Sequence, residues 1–514
     1  TGYSTTTGHD NSFVDYLTGS ANTTGLNNTA IGSVALTANV TGYQNTANGA
    51  FALMNNTGNN NTANGAFALN TNTSGFSNTA DGVYALYLNT TGERNTANGV
   101  NALENNTIGA NNTATGFAAL NSNTSGYSNV AMGIRALHEN QTGSNLVAVG
   151  DSALYNYNSA FKGTLAIGSK AGFNTTSGIY NSFIGYEAGY SNSGGSYNTA
   201  TGYHALFSST SATSNCAFGM NCLTNNTTGD GNSALGYTCL AFNTTGDNNT
   251  AIGRLALYNN TTGYSNVAIG VRALYENQTG NNIVAVGDSA LFNNNGSFGQ
   301  NTAVGSKAGY STTTGYYNSF TGYNAGYSNT IGQRNTAMGH RALYDNISGD
   351  WNSAFGQNTL EANTTGDGNT AYGYWSLGRN TTGNYNTAAG IFALFNNTTG
   401  YSNVAIGIRA LHENQTGNNL VAVGDSALFN NNGSFGENTA VGSKALYSNT
   451  TGNGNTALGF RALYSNSTGN DNTASGLMAL SLNTTGNSNT AAGRAALYSN
   501  TTGYSNVAVG PRAL

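Results

Sequence analysis

The chain has 514 residues, of which 71 are Gly and 1 is Pro, and its formal net charge is −5. Only 7% of residues are charged, so there is no basic footprint for nucleic acid. No apolar run approaches the ~18 residues of a membrane span. The 31 Tyr and 20 Phe argue against a disordered polar chain, because those rings need somewhere to pack.

Taken from the N-terminus, the chain opens on "TGYSTTTGHD", which has no charged n-region or apolar h-region. From Phe13 onward one word recurs. The alanine of "NTA" falls at 30, 47, 63, 80, 97, 114, 131 and 148, then 166, 183 (as Phe), 200 and onward to 508. The step is 17 residues with rare steps of 16 and 18, and the consensus is N-T-A-x-G-x-x-A-L-x-x-N-T-T-G-x-x. A fixed period of this kind indicates a solenoid, in which each unit is stable only against its neighbours. Gly follows "NTA-x" in every unit except the first, where Asp15 stands. That points to a positive φ or to a close backbone approach. The Asn-Thr-Thr-Gly segment is turn chemistry.

Each unit is predicted to run strand, bend, strand, turn. "NTAIG" is the first strand, "RLALY" the second and "NNTTG" the turn in residues 249–263. The expected fold is all-β, a parallel β-solenoid or β-roll of about 30 coils and on the order of 140 Å long, with residues 1–514 forming one continuous segment. In the second strand Ala256-Leu257 and Ala410-Leu411 are apolar on adjacent positions, and an aromatic often follows, as at Tyr258, Tyr275, Phe292, Tyr344, Phe395, Tyr447 and Tyr498. Alternation would place these residues on both faces. The expectation is that one face fills the coil and the other meets another chain. The alternative is a monomer with a surface aromatic ladder.

A longer period overlies the coils. Near-identical stretches begin at Tyr127, Tyr264 and Tyr401, 137 residues apart, which is eight coils with one loop a residue longer. Those loops are "YNYNSAFKG", "FNNNGSFGQ" and "FNNNGSFGE". The rare charges recur with this block: Arg135, Arg272 and Arg409; Glu139, Glu276 and Glu413; Asp151, Asp288 and Asp425; Lys170, Lys307 and Lys444. They read as a surface or inter-chain cluster whose ion pairs fix register, with a ligand patch as the functional alternative. His138 and His412 are equivalent, yet Tyr275 stands between them, which argues against a catalytic or metal role. No catalytic triad, zinc spacing or calcium-binding pattern is present, so the expectation is no enzyme and no cofactor. Cys222 and Cys239 replace the same Ala in successive coils and are expected to stack, either as two small buried residues or as a bonded pair. The many N-x-T triplets follow from the turn consensus, which outweighs reading them as glycosylation acceptors. The chain starts and stops inside a coil, as expected for a segment of a longer fibre.

At "SNVAMG" (128–133) and "SNVAIG" (265–270 and 402–407) the chain resembles the head repeats of YadA-like trimeric autotransporter adhesins. The "NTAxGxxALxxNTTG" wording is similar to repetitive regions of phage tail fibres and large bacterial surface proteins. The unit here is longer than the YadA-like one and mostly has Thr-Ala for Val-Ala. The resemblance implies a left-handed, trimeric β-roll on a bacterial or virion surface that projects and adheres. The expected function is therefore a structural extracellular fibre or adhesin, associated with itself and meeting a host, prey or matrix surface. The alternatives are a ligand-specific module for a matrix protein or glycan, and an ice-binding solenoid with a Thr face.

Overall fold

The computed structural model describes residues 4–160, 162–297, 299–433 and 436–514. The chain falls into two stretches, Thr1–Thr262 and Gly263–Leu514, and each is a stack of similar coils. The first holds fifteen parallel strands, β1–β15, running from Ser12–Val14 to Thr250–Ile252. The second holds β16–β30, from Val267–Ile269 to Val507–Val509. Each strand is three residues long and pairs with the next coil one 17-residue period on, as in Thr29↔Thr46, Ala30↔Ala47 and Ile31↔Asn48. The all-β, parallel solenoid with 17-residue spacing is thus as expected from the repeat.

The second predicted strand is not a strand. In the coil that begins at Thr29, Val34 and Leu36 have φ of 64° and 53°, and the equivalent positions are left-handed throughout the chain. Two local turns close there, Ala35 N–H to Gly32 O at 3.1 Å and Asn39 N–H to Leu36 O at 3.4 Å. Bonds to the adjacent coils continue through the segment: Val34 N–H reaches Tyr16 O at 2.9 Å and Leu36 N–H reaches Ala52 O at 3.0 Å. Left-handed residues interrupt the alternation that a strand imposes on its side chains. Ala35 and Leu36, adjacent in sequence, therefore both point inward and are fully buried within one chain. Adjacent apolar residues here do not imply two buried faces, and they carry no argument for a second chain.

The interior of each coil is narrow. Ala30, Ala35 and Leu36 supply its apolar part, and burying each Leu contributes roughly 2 kcal/mol. The rest is asparagine. Asn39 and Asn45 and their counterparts are 0% exposed and form two ladders along the stack. In the first, Asn89 donates from Nδ2 to Asn72 Oδ1 at 2.7 Å and to Gly92 O at 3.0 Å. In the second, Asn45 donates from its backbone N–H to Asn28 Oδ1 at 3.0 Å and from Nδ2 to Gly58 O at 3.0 Å. A primary amide both donates and accepts and carries no charge, so it can bond to copies of itself in a dry interior. Aspartate has no donor for this arrangement.

The two glycines have separate causes. Gly32 has φ +130°, and a Cβ there would lie 2.6 Å from the carbonyl of Gly49 in the next coil. At Gly42, a Cβ would overlap Asn39 Oδ1 and Gly58 O, so the Asn ladder itself requires glycine.

The core also trades volume between coils. Phe183 and Phe320 replace the strand Ala, while Gly172, Gly189, Gly309 and Gly326 replace the Leu. A Cβ at Gly189 would lie 2.5 Å from the Phe183 ring, and one at Gly172 would lie 2.9 Å from it. Each Phe thus fills the space of two missing leucines. In the third block, 137 residues beyond Gly309, Phe320 and Gly326, the residues are Leu446, Ala457 and Leu463, all buried. Both solutions close the same interior, as expected where packing density must be kept.

The longer loops interrupt the ladders. Leu146, Ile283 and Leu420 are buried at positions of the second Asn ladder, and buried Tyr157 stands in the first. Asn294 is fully buried, and neither atom of its side-chain amide has a partner. Residues 161, 298, 434 and 435 of these loops lie outside the described residues.

Candidate functional site

The sequence-predicted charges share one edge of the coil. Arg135, Arg272, Arg409, Lys170, Lys307 and Lys444 all occupy the left-handed position two residues after the coil Gly, with φ of 53° to 57°. Asp151, Asp288 and Asp425 directly follow that Gly. Backbone bonds place Asp and Lys in neighbouring coils, with Lys170 N–H to Asp151 O at 2.8 Å and the same distance for Lys307 with Asp288 and Lys444 with Asp425. Among the described residues of the first block, no ion pair joins Arg135, Glu139, Asp151 and Lys170 to one another. Glu139 takes His138 Nδ1 at 2.8 Å and Glu413 takes His412 Nδ1 at 2.8 Å. Lys170 Nζ lies 3.6 Å from Glu187 Oε1, whose other oxygen meets His204 Nε2 at 2.9 Å.

A tighter ionic group lies elsewhere. Arg341 Nη2 lies 2.7 Å from Glu361 Oε1, and the guanidinium sits 4.3 Å over the Tyr344 ring. Burial pushes the Glu361 carboxyl up, Arg341 pulls it down, and the charge of Asp345 raises it again. Burial likewise raises Asp345, against Arg341. Glu361 Oε2 is closed to solvent without a partner. The signal for this group is a difference between blocks, since the residues equivalent to Glu361 are Thr224 and Tyr498.

The position after the core Leu carries aromatic ladders. His138, Tyr155, Phe173, Tyr190 and Phe207 stack with centroids 5.0–5.3 Å apart and planes within 14°. Tyr275, Phe292, Tyr310, Tyr327 and Tyr344 repeat the arrangement, as do His412, Phe429, Tyr447 and Tyr464. The rings are half-buried. Two-coil gaps separate such runs, and each is handled differently. Between Tyr87 and His138, Asn121 Nδ2 donates to Glu104 Oε2 at 2.9 Å. Between Tyr344 and Phe395, Glu361 stands in one coil and Trp375 covers Gly378 in the next, its ring 5.7 Å from Phe395. Between Phe207 and Tyr258 stand Thr224 and Ala241, and a notch of about 250 Å³ opens there.

The outer side of the strands forms a second surface. Positions one and three of each strand face outward around the buried Ala. From Thr46 to Asn98 these outward residues are Thr with Asn or Asp. Beyond Thr113–Thr115 they turn apolar, as in Val130 and Met132, Leu165 and Ile167, Val267 and Ile269, and Val404 and Ile406. Met132 is 44% exposed, Leu235 52% and Ile406 43%. Beside this column run further exposed residues after the coil Gly, including Ile134, Tyr186, Tyr237, Tyr323 and Ile408. Contiguous exposed apolar surface of this kind marks an interaction site.

Cys222 and Cys239 are buried free thiols in successive coils, not a disulfide. The hydrogen bond from Cys239 and then burial push the Cys222 thiol up, which makes it unreactive. Among the described residues no group of His, Cys, Asp and Glu is placed to hold a metal ion, and no helix is long and apolar enough to cross a membrane. Asn89, Asn226 and Asn243 head N-T-T triplets but are ladder rungs at 0% exposure, so these triplets are structural. Comparison with protein-family models and with curated proteins finds no match for this chain.

Proposed function

We propose that this chain is a length of structural fibre that projects from a bacterial or virion surface and attaches to a host, prey or matrix surface. Its copies associate side by side, as a left-handed trimeric β-roll, through the apolar outer face of the strands. The observation that carries the reading is that face. Main-chain bonds and Asn ladders satisfy each coil internally, yet strand residues from Met132 onward expose a continuous apolar column. A partner in contact along such a column must repeat at about 4.8 Å, the spacing of stacked strands. A second copy of this chain has that repeat.

Two measurements on the full chain test the reading. Sedimentation equilibrium is expected to give three times the chain mass, and beads coated with the chain are expected to adhere to cells or matrix-coated surfaces. A monomer at micromolar concentration would overturn the association. Coated beads that adhere no better than bare ones would overturn the attachment role.

A further inference from the structure

We propose that the gap in the aromatic ladder between Phe207 and Tyr258 is a binding site for an uncharged hexopyranose unit of a glycan. This names a ligand for the attachment reading above, and it does not depend on self-association.

The ladder omits two rings here. Thr224 and Ala241 stand where neighbouring coils carry aromatics, leaving Phe207 and Tyr258 three coil spacings apart, roughly 14 Å. The notch measures about 250 Å³. Phe242 and Tyr258 form one wall, meeting edge to face at 4.9 Å and 83°. Asn221 and Asn225 line it as well. Both are only part-buried, which leaves their amides within reach of a ligand. At the Thr238 position the hydroxyl is closed to solvent and has no partner. No charged side chain lines the notch, which excludes phosphorylated and acidic ligands.

The chain itself shows what such a gap accepts. One block later the residues equivalent to Thr238 and Ala241 are Trp375 and Gly378. The Trp375 indole lies over Gly378 and packs edge-on against Phe395. A six-membered ring therefore fits this place in the coil, and in the first stretch the chain does not supply one. The lining selects the kind of ring. An aromatic ring face is electron-rich and attracts the C–H face of a pyranose. Asn amides offer a donor and an acceptor each to hydroxyls around the sugar's rim. A few placed polar groups beside an apolar wall are the usual composition of a small-molecule site.

The test is saturation-transfer NMR on the full chain with methyl β-D-glucopyranoside, methyl β-D-galactopyranoside and methyl N-acetyl-β-D-glucosaminide, with indole as a flat ring lacking hydroxyls. One open subsite should give a Kd on the order of millimolar for at least one glycoside. The pair Thr238→Trp and Ala241→Gly, which installs the residues of the next block, is expected to weaken that binding at least tenfold while leaving the thermal midpoint near the parent's. Asn225→Ala should weaken it with the fold intact. No saturable glycoside binding by about 50 mM would overturn the proposal. So would a filled variant that binds like the parent, or binding of indole alone. Bead adhesion is read separately, so failure of the sugar site and failure of the attachment role are distinguishable.

Discussion

At the scale of single residues, the buried asparagines do the most to hold this chain in its coil. Asn363 donates from Nδ2 to Asn346 Oδ1 at 2.8 Å and to Gly366 O at 3.0 Å, and it accepts from Asn380 at 2.7 Å. Asn363→Asp removes both donations and turns a carboxylate toward two oxygens. Leaving buried groups unsatisfied beside a buried charge is expected to cost about 3 kcal/mol or more, measured as a lowered midpoint in urea unfolding. Glu361 gives the complementary case. Its folded pKa is raised by burial, so the protonated form is favoured in the folded chain and its stabilisation is lost as pH rises from the ordinary Glu range through the raised value. Glu361→Gln does not titrate. It is expected to be more stable than the parent at pH 7, with the difference shrinking as the pH falls below about 4. A variant that is less stable at pH 7 would show that the Arg341 pair outweighs the burial.

At the scale of the coil, the exchange between Phe and Gly can be tested directly. Phe320→Ala should open a cavity against Gly309 and Gly326 and cost about 3–5 kcal/mol. Gly326→Leu alone should also destabilise, because its side chain would meet the Phe320 ring, 2.5 Å from where a Cβ begins. Combining Phe320→Ala, Gly309→Leu and Gly326→Leu reproduces the third block and should recover most of the loss. Thermal unfolding of the single and triple variants measures the coupling, and simple additivity would refute the exchange. The period, the coil Gly, the turn and the parallel stacking were all legible in the sequence, because they follow from repetition and from residues with few conformational uses. The path of "LALY" was not. Left-handed Leu36 and its counterparts have no turn-former signature, so alternation was assumed and a second strand inferred. The Asn ladders were also hidden, since Asn serves turns as readily as it serves a buried amide chain. One signal pointed the other way: Leu146, Ile283 and Leu420 replace Asn with an apolar residue, which belongs to an interior and not to a solvated turn. The ladder gap was legible only by comparing blocks, where Thr238 and Ala241 stand against Trp375 and Gly378.

At the scale of the whole molecule, two surfaces compete to be the one that meets another copy. The aromatic ladders bury much of their ring area within the chain, because each face stacks on the next coil at about 5 Å. The strand face has no such internal partner. Its outward residues are polar from Thr46 to Asn98 and apolar beyond Thr113–Thr115, although the backbone ladder is the same in both regions. A solvated outer face would have no reason to change character in this way, so the change marks where contact is made. Stable interfaces bury about 800 Å² per partner, and a column that adds exposed side chains with every coil reaches that area within a fraction of its length. Ile269→Asp together with Ile406→Asp places two carboxylates in that column and should shift the full chain toward monomer in sedimentation at micromolar concentration, without lowering its thermal midpoint as a monomer. Asn48→Asp with Asn64→Asp, on the polar part of the same face, should leave the mass unchanged. Replacing Tyr310 and Tyr327 by Ser should do the same for association, while weakening the stack. If the ladder variants dissociate the chains and the strand-face variants do not, the interface belongs to the aromatic edge, and the sheet face needs another explanation.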